Sequence, residues 1–186
     1  MTTTYACLKE QVFTSGQYQL VPIRHEDLLD IKRWRNDQMT ILRQNEVLTN
    51  EIQQKYYEKV LKPSFSEKQP KQILFSYLQD GTCIGYGGIV HIDWPSHRGE
   101  LSFLLDTQKA EDPSAYSHDF GIYLELIKKA AFNDLKFHRL FTETFDIRPL
   151  HISILEKHGF IYEGRMKDHT FIENHYVDSL IHGCLA

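Results

Sequence analysis

The chain reads as a mixed α/β domain built on one sheet, and three observations carry that reading. Apolar residues alternate in short runs, as in Glu100-Leu101-Ser102-Phe103-Leu104-Leu105. One long segment, from about Ser117 to Asp134, repeats them at helical spacing instead. A strand and a short helix then follow each other directly between Phe137 and Phe160. Strands and helices interleave without regular alternation, which points to a mixed sheet rather than a βαβ ladder.

The elements follow in order. Tyr18-Gln19-Leu20-Val21-Pro22-Ile23 alternates loosely and reads as a strand. A helix is expected from about Glu26 to Asn36, with Leu28, Leu29, Ile31 and Trp34 as its apolar members. Thr49 is suited to cap a second helix, in which Ile52, Tyr56 and Val60 recur every four residues with Tyr57 and Leu61 alongside. The segment 62–70, with two prolines and little apolar content, reads as a loop. Ile73 to Leu78 and Cys83 to Val90 read as strands, and Asp80-Gly81 between them is a hairpin signal. In the next strand, Leu101, Phe103 and Leu105 share one face and Glu100, Ser102 and Leu104 the other. Phe120, Tyr123, Leu124, Ile127 and Ala131 form the stripe of the long helix.

A strand from Phe137 to Phe145 leads into the short helix, for which Asp146 is the expected N-cap and Pro149 sits in the tolerant first turn. Ile147, Leu150 and Ile154 lie on one face. Lys157 and His158 complement the C-terminal dipole, and Gly159 supplies a left-handed exit. Ile161-Tyr162-Glu163 and Tyr176 to Ile181 complete the set as strands. The order is strand, two helices, three strands, helix, strand, helix, two strands.

The length fits a single domain over residues 1–186, and 41% hydrophobic residues suffice for a core. A net charge of −4 with no dense Lys/Arg run argues against a nucleic-acid partner. No apolar run approaches the roughly 18 residues of a membrane span, so no membrane partner is expected. Met1 to Cys7 lacks the regions of a signal peptide. Cys7, Cys83 and Cys184 are scattered and odd in number, which suits a reduced, cytoplasmic location. The ten histidines include no metal-ligating spacing, so no metal is expected, and His151 and His158 read as surface residues. Gly85-Tyr86-Gly87-Gly88, inside a strand pattern, reads as a bulge or close-packing device.

Several strings together resemble the GNAT acetyltransferases. Leu155-Glu156-Lys157-His158-Gly159-Phe160 is similar to that family's terminal helix and Gly-Phe. Gly164 to His169 and Tyr176-Val177-Asp178 resemble the branch of ribosomal-protein N-terminal acetyltransferases. Trp34-Arg35-Asn36-Asp37 is similar to a string of the amino-sugar N-acetyltransferases. The resemblance covers about Tyr18 to the end. It implies a mostly antiparallel twisted sheet of six to seven strands flanked by about four helices, with acetyl-CoA as acyl donor and a primary amine as acceptor.

One departure stands out. The family grips the CoA pyrophosphate with an Arg/Gln-x-x-Gly-x-Gly loop at the start of its long helix, where free N–H groups and the dipole favour phosphate. The matching segment, Asp112 to Phe120, has neither glycine nor arginine. Asp119 would cap the helix and repel phosphate, while Ser114, Tyr116, Ser117, His118 and Phe120, with the backbone donors of that turn, would have to hold the cofactor. The resemblance adds Arg148 and Ser153 on the short helix, and the main-chain amides of Phe103, Leu104 and Leu105 as donors to the thioester carbonyl.

An amine of pKa about 10 is mostly protonated at neutral pH, so a base is useful. Glu100 and Glu143 are the candidates; Glu143 lies between Phe141 and Phe145, where burial would raise its pKa. The alternative is an ion pair with Arg98 or Arg139. Leu155 stands where the family has a tyrosine, which leaves Tyr162 or His169 as substitutes for acid assistance. Trp34, Arg35, Asn36 and His169 are the expected substrate contacts; Trp34 reads more as core than as ligand, and Arg35 and Asn36, polar at a helix end, are the better candidates. The leading acceptor is a small molecule such as a nucleotide-linked amino sugar. A protein N-terminus, a larger acyl group, or a non-catalytic module that has lost acetyl-CoA are the alternatives, and a homodimer is left open.

Overall fold

The computed structural model describes residues 3–186; Met1 and Thr2, where the N-terminal segment read above begins, lie outside the described residues. A single sheet runs in the order β1-β2-β3-β4-β5-β6-β8-β7. Its strands are β1 (Phe13–Ser15), β2 (Tyr18–Pro22), β3 (Ile73–Gln79), β4 (Thr82–Asp93), β5 (Arg98–Leu105), β6 (Arg139–Phe145), β7 (Ile161–Ile172) and β8 (His175–Leu185). All neighbours pair antiparallel except β5 and β6. The sheet thus has eight strands where six to seven are expected, the addition being the short β1.

Helices α1 (Leu28–Asp37), α2 (Asn50–Tyr56) and α3 (Lys62–Ser64) lie between β2 and β3. Helices α4 (Thr107–Glu111) and α5 (Pro113–Lys128) lie between β5 and β6, and α6 (Pro149–Lys157) precedes β7. Each face of the sheet has its own core. Leu101, Phe103 and Leu105 pack beneath α5 with Phe120, Tyr123 and Leu124. Leu104, Tyr86 and Leu74 pack beneath α1 with Leu28, Ile31 and Trp34. The alternation along β5 therefore sorts its side chains between two cores.

Turn chemistry sets the hairpin registers. Asp80 and Gly81 both have positive φ, 48° and 78°, and Gln79 pairs with Thr82 across them. Thr49 caps α2, its Oγ1 accepting from the Ile52 amide at 3.2 Å. Close packing explains the glycines of β4. A Cβ at Gly87 would overlap the Ser102 carbonyl oxygen and come within 2.9 Å of Phe103 Cα, both backbone of the adjacent strand. Gly87→Ala should therefore destabilise the fold by about 1–3 kcal/mol through strand displacement, read as a lowered urea midpoint.

Several local expectations are corrected. α5 begins four residues early, because Asp112 accepts from the Ser114 and Ala115 amides and Pro113 fills the first turn. Asp146 does not cap α6; it accepts from Arg165 instead, at 2.6 Å. Ile147, Leu150 and Leu29 are exposed, and the buried face of α6 is His151, Ile154 and Leu155. The stripe Ile52, Tyr56, Val60 is at least one-third exposed, whereas Gln53 and Leu61 are buried. Segment 62–70 opens with α3. Strand β7 extends to Ile172 rather than ending at Glu163, and Glu173 and Asn174, both at positive φ, turn it into β8.

Candidate active site

The one parallel ladder of the sheet is short. β5 and β6 pair only at Arg98–Arg139, Gly99–Leu140 and Glu100–Phe141. Beyond Glu100, β5 keeps its partner β4 to Leu105, and β6 keeps β8 to Phe145. The facing edges of the two strands are left without strand partners. The cleft between them is lined by Glu100, Ser102, Phe103, Glu143, Arg148 and His151, among others, and encloses about 100 Å³.

Both candidate carboxylates face this cleft, and one arginine joins them. Arg43, from the α1–α2 connection, donates through Nη2 to Glu100 Oε1, and its Nη1 lies 3.4 Å from Glu143 Oε2. The partner is thus Arg43, not Arg98, which pairs with Asp93, nor Arg139, which pairs with Glu163. The Glu100 side chain is 6% exposed and the Arg43 side chain 50%. Each carboxylate keeps a second oxygen toward a histidine: Glu100 Oε2 is 3.7 Å from His91 Nε2, and Glu143 Oε1 is 3.5 Å from His169 Nε2. Glu143 Oε1 is buried and has no hydrogen-bond partner among the described residues. Arg43 and His91 were missed by the sequence reading: Arg43 lies in an aperiodic connection, and His91 follows the last residue read as strand, at an irregularity of β4 where its φ is 48°.

At the outer end of the cleft, side chains from α5 and α6 meet. The Tyr116 hydroxyl lies 2.7 Å from His151 Nδ1, and Arg148 Nη2 donates to that hydroxyl at 2.9 Å. The His151 ring stacks on Phe120 with centroids 4.3 Å apart, and Phe120 stacks on Phe103 at 4.5 Å. His151 is buried, which corrects its reading as a surface residue. Burial, with Arg148 beside it, pushes its pKa well below the usual value, and burial raises that of Tyr116.

These contacts test the cofactor expected from the resemblance. The unpaired edges of β5 and β6 fit an extended donor arm that adds main-chain hydrogen bonds between strands. Arg148, at the mouth, fits a phosphate. The start of α5 fits less well than expected, because Asp112 takes the Ser114 and Ala115 amides, and Ser117 Oγ donates to the Pro113 carbonyl. Ser114 and His118 are exposed, and Ser153 is half-buried. Asp119 neither caps α5 nor faces a phosphate. It is buried, accepts from the Tyr18 hydroxyl at 2.9 Å, and pairs with Lys109 at 2.9 Å.

The other face of β5 borders a larger cavity of about 600 Å³ beneath α1 and α2. Val90 and Ser102 line both spaces, so the cavity meets the cleft beside Glu100. Arg35 lines this cavity. Trp34 does not: it is 2% exposed within the core under α1, so its assignment as a substrate contact is corrected to packing. Asn36 is also structural. Its side chain donates to the Leu48 carbonyl and accepts from the Leu48 amide and Gln44, which ties down the α1–α2 connection. Leu155 is fully buried, and Tyr162 packs edge-on against His182. Among the described residues no three His, Cys, Asp or Glu side chains form a group suited to a metal ion, and no helix is long and apolar enough to cross a membrane.

Comparison with known proteins gives consistent results. The family described as acetyltransferase (GNAT) domain matches residues 20–181. Among solved structures, spermidine N-acetyltransferase from Vibrio cholerae, in complex with CoA and spermine, is similar with a TM-score of 0.78 and 17% identity, over 92% of this chain and 96% of that one. A dodecameric structure of the Vibrio cholerae enzyme in an intermediate state gives a TM-score of 0.72 and 16% identity, over 92% and 95%. At such identities the likeness is one of fold. Among curated proteins, none matches this chain in sequence.

Proposed function

The chain belongs to the GNAT acetyltransferase family, and we propose that it moves an acetyl group from acetyl-CoA to a primary amine that reaches Glu100 through the cavity beneath α1 and α2. When bound, acetyl-CoA supplies the acetyl group as an activated thioester. The chain's own residues do the rest. The free edges of β5 and β6 align the donor arm, and Arg148 lies where an anionic group would leave the cleft. Glu100 accepts a proton from the incoming ammonium, and Arg43 holds its carboxylate in place at the cleft. A main-chain N–H within Phe103–Leu105 faces the oxygen on which negative charge develops. His91, exposed and 3.7 Å from Glu100 Oε2, connects that carboxylate with solvent.

The observation that carries this reading is the ladder that ends at Glu100, where cleft and cavity meet. The departing thiol, of pKa about 8.5, leaves without strong assistance, so a buried Leu155 is compatible with turnover. For the acceptor, the sequence favours a nucleotide-linked amino sugar, and the similar Vibrio cholerae enzyme suggests a polyamine instead.

Titration calorimetry with acetyl-CoA, followed by a primary-amine screen with mass detection, tests the assignment. Saturable binding and transfer of one acetyl group are expected. No binding at millimolar acetyl-CoA would show a GNAT-shaped module without the reaction.

A further inference from the structure

The 600 Å³ cavity has a chemical character that separates the acceptor classes. Its walls are mostly apolar, including Ile31, Leu48, Ile52 and Leu74, with Tyr56 and Tyr86 as aromatic members. Its basic members are Arg35, Lys71 and His91, and its lining contains no aspartate or glutamate. Ile52 and Tyr56 are among the residues whose stripe faces away from the core; they face this cavity instead.

Arg35 is placed as an anchor. It is half-buried on α1, and Nε donates to Gln44 Oε1 at 2.9 Å while Nη1 donates to the Tyr86 hydroxyl. Two neutral acceptors thus fix the plane of the guanidinium, and among the described residues it forms no ion pair. A half-buried guanidinium, held rigidly on an apolar wall without a counter-ion, is suited to a carboxylate or phosphate, to which charge-assisted bonds are strong and directional.

A polyamine is poorly matched. Its several ammonium groups would lose hydration beside Arg35 and Lys71 with no carboxylate in the lining to replace the water. The carboxylates nearest in function, Glu100 and Glu143, line the cleft and are shared by Arg43. They can receive one amine at the junction, not a chain of cations along the cavity.

We propose that this cavity binds an acceptor with an apolar or aromatic body and one anionic group, carboxylate or phosphate, which Arg35 holds while the amine points toward Glu100. The proposal rests on the acetyltransferase reading for the identity of the amine as the reacting group. Its recognition chemistry is separable, because it concerns the cavity without the donor.

The test is calorimetric binding of four probes in the absence of acetyl-CoA: phosphotyramine, aminomethylbenzoate, tyramine and spermidine. At least one anionic probe should bind roughly tenfold or more tighter than tyramine, with spermidine weakest; the preferred anion separates phosphate from carboxylate. Arg35→Ala should erase the preference for the anionic probe, and Arg35→Lys should keep part of it. The wild-type ranking decides the matter even if the alanine variant fails to fold. Tightest binding by spermidine, no binding of either anionic probe at millimolar concentration, or an unchanged ranking in a folded Arg35→Ala protein overturns the proposal. A failed acetyl-CoA titration beside the expected ranking would remove the reaction but leave the acceptor site standing.

Discussion

Glu100→Gln is expected to lower the rate of acetyl transfer by about 10²–10⁴-fold, the usual contribution of a positioned general base, while Glu143→Gln costs about tenfold or less. Sequence alone ranks the two carboxylates almost equally, and in the fold they share Arg43 and both face the cleft. Position separates them. Glu100 stands at the junction between cleft and cavity, beside Ser102 and Val90, where an amine leaving the cavity arrives first. Both carboxylates line the cleft and neither lines the cavity, but Glu100 is the cross-strand partner of Val90 and lies 3.7 Å from His91, two residues of the cavity wall, whereas the free oxygen of Glu143 faces His169.

The glutamine at position 100 keeps shape and some hydrogen bonding but cannot take the proton. The loss should therefore appear in kcat/KM across pH 6 to 9, and it should diminish toward high pH, where more acceptor is already neutral. A larger loss from Glu143→Gln would exchange the two roles. No loss from either variant would mean that neither carboxylate removes the proton.

The frame of the fold was legible because burial leaves a periodic trace. The alternation in β5 and the stripe Phe120, Tyr123, Leu124, Ile127 and Ala131 mark surfaces that must leave water, and all five of those helix residues are fully buried. Asp80-Gly81 and Thr49 were legible because their backbone chemistry is local. β7 was read short because it is an edge strand, exposed along much of its length, so no pattern of burial marks it beyond Glu163. Ile52 and Tyr56 misled for a related reason: their apolar spacing is real, but it lines a cavity rather than the core.

The site was less legible than the fold. Glu100 and Glu143 could be named because a carboxylate in an apolar strand is conspicuous. Arg43 sits in an aperiodic connection, and its role exists only once that connection folds over β5 and β6. The stack around His151 joins α5, α6 and β5, so no local string contains it. Its sole sequence trace is negative, the missing glycines between Asp112 and Phe120.

That stack leads to the second large effect: His151→Ala should bind coenzyme A at least about tenfold more tightly than the unmodified chain. The His151 ring lies against Phe120 at 4.3 Å and 12°, and it borders the cleft together with Arg148. The hydrogen bonds are mutually consistent when Arg148 donates to the Tyr116 hydroxyl, which donates in turn to Nδ1 of a neutral His151. Arg148 is thereby turned toward Tyr116, and it must give up that hydroxyl before it can turn fully to a phosphate at the mouth. Removing the ring widens a space of about 100 Å³ and breaks the chain that restrains the guanidinium. The gain in coenzyme affinity should accompany a loss of fold stability of about 2–4 kcal/mol, because a buried ring leaves a void behind.

Acid provides an independent readout of the same ring. His151 is neutral in the fold, with its pKa well below the usual value, while the unfolded chain binds the proton near pH 6.5. Below that pH the unfolded state holds more protons, so stability should fall on acidification by up to about 1.4 kcal/mol per pH unit, until the native pKa is reached. His151→Ala should lack this contribution, so its unfolding midpoint should vary less between pH 6.5 and 5. Unchanged or weaker coenzyme binding by a folded variant, whatever its acid profile, would show that the stack does not restrict the donor cleft.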